Sequence, residues 1–176
     1  MAKLLMKKYL LFFSLLVIGS HIHSQPSIKV LGFEQESIPG TVAANLKDEN
    51  GNPIKKAATQ KNYLIYLSLA PNHSVSAHHV FINGKAFLVE SSTTETTPVQ
   101  HVDNNIPDKP EYLTLVPRTS NKVIRLIINK PTQVEKTSTI KKLAAKNDVV
   151  VSYTWKEKKY FAVLKKLKKL DTVLNQ

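Results

Sequence analysis

The 176-residue chain contains no cysteine, only five glycines and a single tryptophan. The missing thiols exclude disulfides, thiolate zinc sites, iron–sulfur clusters and a cysteine nucleophile. They also exclude acylation at an N-terminal cysteine, the mark of a bacterial lipoprotein. Glycine is too sparse and too scattered to build a phosphate-cradling loop. No G-x-S-x-G turn is present to raise a nucleophilic serine. No H-x-x-x-H pair is present to place two imidazoles on one helical face. Beyond the first 24 residues there is no long apolar run.

What is present suits a globular body. Hydrophobic residues make up 42% of the chain and charged residues 22%, both near globular averages. The length fits one domain plus appendages. A domain of about 150 residues buries roughly 68–70% of its unfolded surface, enough for a core without covalent staples.

The first segment reads as an address. Lys3, Lys7 and Lys8 precede YLLFFSLLVIGS, an uncharged run of 12 residues at positions 9–20. A helix needs about 20 apolar residues to span a bilayer, so this run is short for a membrane span. A basic start, a short apolar centre and small residues after it match a secretory signal peptide. Cleavage is expected after Ser24, leaving Gln25 first, with Ser20 as the alternative. An uncleaved signal anchor is the competing reading.

From residue 28 onward, apolar residues fall in short runs rich in β-branched and aromatic side chains. Strands are expected at 28–33, 41–46, 63–69, 79–82, 85–90, 99–102, 112–116, 122–129, 148–155 and 159–164. Tyr63, Ile65, Leu67 and Leu69 share one face of their strand, with Leu64 and Tyr66 on the other. Both faces are apolar, so this strand is expected at the centre of a sheet covered on both sides. Val149, Val151, Tyr153 and Trp155 form a second apolar face, opposite Val150, Ser152 and Thr154. Asn83-Gly84 predicts a two-residue hairpin turn, because both positions need positive φ. Glu157 and Lys158 are expected to turn the 149–155 strand back on 159–164. Residues 91–98, SSTTETTP, read as a surface loop. Residues 103–110, DNNIPDKP, read as an irregular one. The stretch DENGNPIKKAA, at 48–58, resembles the Asp-x-Asn-Gly-x-Pro turn of bacterial immunoglobulin-like extracellular repeats. Turn chemistry alone accounts for it, and no function follows.

The net charge of +12 is local. Residues 1–24 carry +3, residues 25–140 carry +2 and residues 141–176 carry +7, the last from ten lysines and three acids. At the end, Tyr160, Val163, Leu164, Leu167, Leu170 and Leu174 recur at helical spacing, with Lys165, Lys166, Lys168 and Lys169 beside them. The expectation is a strand to about residue 164, then a helical or frayed tail. Its lysines would meet an anionic surface; alternatively, its leucines cover a sheet edge while the lysines stay solvated.

Four histidines lie beyond residue 24: His73, His78, His79 and His101. On a regular strand His78 and His79 point to opposite faces and do not share a metal. No metal or cofactor is therefore expected.

These readings predict an all-β, immunoglobulin-like antiparallel β-sandwich over residues 25–164. A signal-peptide helix (1–24) precedes it and a short Lys/Leu-rich basic tail (165–176) follows. The expected function is a non-catalytic binding or accessory module of a bacterial cell envelope, periplasmic or secreted, with an envelope protein as partner. The alternative is contact with anionic lipid or lipopolysaccharide through Lys165, Lys166, Lys168 and Lys169. Export makes nucleic acid an unexpected partner. A small envelope hydrolase is a third class, and requires a cleft where serine, histidine and carboxylate converge.

Overall fold

The computed structural model describes residues 26–39, 49–50, 59–94, 96–103 and 111–175. The expected signal segment, the expected strand 41–46, and most of 48–58 and 103–110 lie outside them. In chain order the elements are β1 (Ile28–Pro39), β2 (Gln60–Leu69), β3 (Ser76–Ile82), β4 (Lys85–Thr94), β5 (Val99–Asp103) and β6 (Glu111–Val116). Then follow β7 (Lys122–Pro131), α1 (Ser138–Ala144), β8 (Val149–Trp155), β9 (Lys158–Leu164), β10 (Lys168–Lys169) and β11 (Val173–Asn175). The fold is predominantly β, as the periodicity predicts.

The sheets are not stacked as in an immunoglobulin-like sandwich. Among the described residues, nine strands pair into one sheet, in the order β10-β1-β2-β7-β4-β3-β8-β9, with β11 also on β1; β5 and β6 form a separate hairpin. The pairing is antiparallel except where β10 and β11 run parallel to β1, so the sheet is mixed. It curls strongly into a half-barrel, and chain connectivity requires that curl. Strands β9 and β10 stand at opposite ends of the pairing order, yet only residues 165–167 separate them in sequence. Four peptide steps span about 14 Å at most, so the two sheet edges must come together. Bulges assist the bend, with register shifts between Ala77 and His79 in β3 and between Phe87 and Val89 in β4.

Alternation then fills the two sides of the curled sheet. The concave side holds Val30, Ile65, Leu67, Leu69, Val80, Ile82, Ile124, Leu126, Val149, Val151, Tyr153 and Trp155 in one core. These include the two apolar faces anticipated for β2 and β8. Tyr153 is fully buried and its ring stacks on Tyr160 at 5.8 Å. The other face of β2 is also covered, as expected of a central strand: Tyr66 packs with Phe33, Val123, Leu115 and Val116, the last two from β6. Farther along the convex side, Phe81, Ala86 and Val150 are capped by Ile140 of α1. Helix α1 is absent from the sequence reading. Its start is nevertheless marked, since the Thr137 hydroxyl accepts the Ile140 amide as an N-cap.

Three local expectations are corrected and one is met. The 91–98 loop begins later, because β4 runs on through Thr94, paired to Val123. The turn between β8 and β9 sits at Lys156-Glu157, whose φ values are +46° and +64°. Asn83 and Gly84, at +47° and +75°, make the anticipated turn between β3 and β4. His78 and His79 face the same, convex side, because His78 is the extra residue of the β3 bulge. His78 Nε2 lies 2.7 Å from Thr154 Oγ1, while the His79 ring lies 6.5 Å from that of Phe81.

The tail is not helical. After β9 the chain stays extended and pairs with β1, Phe33 opposite Lys168 and Ser37 opposite Val173. Leu167 enters the concave core and Leu170 the convex one. An extended segment crossing a sheet edge satisfies the three-residue leucine spacing as well as a helix would. It also supplies hydrogen bonds to an edge strand that would otherwise lack them.

Candidate anion-binding surface

The lysines of the tail are placed by the leucines beside them. With Leu167 and Leu170 buried, Lys165, Lys166, Lys168 and Lys169 are all exposed. They do not form one face. Lys168 projects over the Phe33 ring, its ammonium 5.9 Å from the centroid. Lys169, one residue on in an extended strand, turns to the other side, 4.0 Å from Glu34 Oε1. Glu34 also lies 3.7 Å from Lys61, which reaches Glu36 at 3.4 Å. The Glu34 carboxylate, and then the bond to Glu36, hold Lys61 above its ordinary pKa of 10.5. The charge of Lys169 is thus partly answered. Lys165 and Lys166 occupy the β9–β10 bend, and neither makes an ion pair with another described residue.

That bend is fixed to two other loop tips through Asp148. The Asn83 amide donates to the Asp148 carbonyl at 2.8 Å. The Asp148 amide donates to the Lys165 carbonyl at 3.2 Å, and Asp148 Oδ2 accepts the Leu167 amide at 2.9 Å. One end of the half-barrel therefore gathers the β3–β4 turn, the α1–β8 connection and the β9–β10 bend. Exposed lysines stand on all three: Lys85, Lys146, and the pair Lys165 and Lys166. Sequence reasoning found the last two and missed the first two, which are remote in sequence. An open cleft of about 540 Å³ adjoins this end, lined among others by Gly84, Lys85, Gln133, Glu135 and Lys136. Lys136 Nζ donates to the Gly84 carbonyl there.

The histidines do not converge. His101 Nε2 lies 3.0 Å from Gln35 Nε2, joining the β5–β6 hairpin to β1. His73 sits at the far end of the barrel, its ring edge-on to that of Trp155 with centroids 5.7 Å apart, and its Nδ1 is buried without a hydrogen-bond partner among the described residues. His79 is neighboured by His78 and Lys159; burial first, then those two positive groups, hold it below the usual 6.5. Among the described residues no three histidine or carboxylate side chains gather as metal ligands.

Comparison with protein-family models gives no match, and neither does comparison with curated proteins.

Proposed function

We propose that the chain is an exported, non-catalytic binding module of a cell envelope and that the element it presents is a fixed set of lysines. What supports this reading is the division of labour in the C-terminal segment. The leucines are consumed as core, so they are not free to insert into a bilayer or a partner groove. Lys165 and Lys166 remain solvent-facing on a bend held by backbone bonds. Such cations attract an anionic surface without reshaping the fold. Lipid headgroups and the phosphates of lipopolysaccharide share that chemistry. The basic, apolar start of the sequence supports export and, if uncleaved, a membrane anchor; intact-mass measurement on exported protein decides between them.

The test is binding of the full chain to lipopolysaccharide or to phosphatidylglycerol vesicles, with phosphatidylcholine vesicles as the neutral control. The increment over the control is expected to vanish near about 0.5 M salt, where screening acts within a few Å. Replacing Lys165 and Lys166 by Gln is expected to reduce that increment while leaving the circular dichroism spectrum unchanged. Binding that is equal on charged and neutral surfaces, or insensitive to salt, overturns the reading.

A further inference from the structure

Resting on the anion-binding reading above, we propose that the protein docks end-on against an anionic phospholipid surface, through the loop tips that carry Lys85, Lys146, Lys165 and Lys166. Three connections that leave the same end of a curled sheet form a shared tip. A plane approaching that end meets the Asn83-Gly84 turn, the residues before Asp148 and the 165–166 bend together. Asp148 holds the three in fixed relation, its carbonyl, amide and carboxylate each bonded to a different tip or to the bend itself. The four ammonium groups are therefore presented without a folding cost at the moment of contact. Asp148 spends carboxylate Oδ2 on the Leu167 amide. Glu135, which lines the adjoining cleft, is exposed.

A planar lipid surface fits this arrangement better than a single bound phosphate. The lysines stand on separate protruding tips and do not converge on one point. The complement of separate, outward cations is a surface with many mobile anionic heads. Lys168 and Lys169 lie past the bend, in β10. They flank β1, one over Phe33 and one beside Glu34, on opposite sides of the edge strand. Docking by the end of the barrel leaves them out of contact. That separates this proposal from a tail that binds as a whole.

The experiment uses the full chain with phosphatidylglycerol-containing and pure phosphatidylcholine vesicles at low salt. The neutral vesicles subtract whatever the apolar N-terminal run contributes. Each lysine near an anionic membrane adds enough attraction that Lys85, Lys146, Lys165 and Lys166 replaced together by Gln should lower the anionic increment by about a hundredfold or more. The Lys168→Gln, Lys169→Gln double variant should keep it. The chain has no cysteine, so a single Ala145→Cys or Asn72→Cys places an environment-sensitive dye at either end of the barrel. Emission is expected to shift to the blue on anionic vesicles for the label at 145 and not for the label at 72. A shift at 72, or loss of binding in the 168/169 variant with Lys85→Gln and Lys146→Gln harmless, overturns end-on docking while leaving anion binding standing. Salt-sensitive binding to lipopolysaccharide without binding to phosphatidylglycerol vesicles likewise overturns the lipid surface alone. Failure to bind either anion removes both readings.

Discussion

Leu167 and Leu170 are three residues apart and buried on opposite faces of the same sheet, one packed in the concave core and one against Phe33. The segment that carries them closes the half-barrel, pairing β1 after leaving β9. Each leucine therefore does what a core residue does. Leu167→Ala and Leu170→Ala are each expected to cost about 2–5 kcal/mol, measured by denaturant unfolding. Lys165→Gln and Lys166→Gln should stay within about 0.5 kcal/mol of the parent. Removing residues 165–176 should unfold or severely weaken the body, since it opens both cores at once. A stable truncated protein would mean that the tail is an appendage.

The faces of β2 and β8 were legible because period-two alternation depends only on local backbone geometry. The Asn83-Gly84 turn was legible for the same reason, as its side chains tolerate the φ values the turn needs. The single curled sheet was not legible. Whether two strand sets stack or join depends on which edges meet, and that is decided by a three-residue connection after Leu164. The pairing of His78 and His79 on one face was hidden by a bulge, which changes the alternation without changing composition. The basic end was only half visible. Lys165 and Lys166 stood out in a lysine-rich run, whereas Lys85 and Lys146 reach them solely through the hydrogen bonds of Asp148. The signal in 137–144 was present, a Thr cap followed by Ile140, Leu143 and Ala144 at helical spacing, but two turns of helix are short against a background of strands.

His79 gives the fold a pH dependence of known sign. Burial, with His78 and Lys159 adding to it, depresses its pKa below 6.5 in the folded protein. The unfolded chain then takes up the proton more readily. Stability from this group is fully present above the unfolded value and is lost as pH falls through the folded one. Denaturant unfolding should show a decline between about pH 7 and pH 5 that is shallower in His79→Gln. His78→Gln removes one of the positive neighbours, so the decline should become smaller and end at a higher pH. An unchanged slope in His79→Gln would assign the decline to other groups.

The Lys156-Glu157 turn places two ordinary side chains at positive φ. A residue with a Cβ pays about 1–2 kcal/mol for the left-handed region, and glycine does not. Glycine in turn loses more entropy on folding, which returns roughly half of that gain. Lys156 is best kept, because its ammonium lies 4.7 Å from the Trp155 ring centroid. Glu157→Gly alone is therefore expected to stabilise by about 0.5–1 kcal/mol, seen as a melting temperature higher by about 2–3 °C. Thr154→Gly, within β8, should lower it. If Glu157→Gly also lowers it, the turn does not sit at these two residues.

At Gly32, β1 packs against Leu164 at the end of β9 and Leu167 of the closing segment. A Cβ at that position would lie 2.7 Å from Leu164 Cδ2, 2.9 Å from Leu167 Cδ2 and 3.0 Å from Ile65 Cδ1. Two effects oppose each other in Gly32→Ala. Alanine in a strand interior gains about 0.5–1 kcal/mol over glycine by losing less entropy. Overpacking a filled core costs about 1–3 kcal/mol. The three atoms it meets are side-chain ends, which yield more readily than backbone, but Ile65 and Leu167 are buried in the concave core and Leu164 packs against it. Overpacking should win, leaving Gly32→Ala about 1 kcal/mol less stable and Gly32→Val worse. The cause can be separated from a generic strand effect by a double-mutant cycle. Leu164→Ala makes room for the new methyl, so its cost should be smaller in the Gly32→Ala background by about 0.5–2 kcal/mol. Additive losses would mean that Leu164 and Gly32 do not touch, and that the edges of the sheet close less tightly than the position of Gly32 requires.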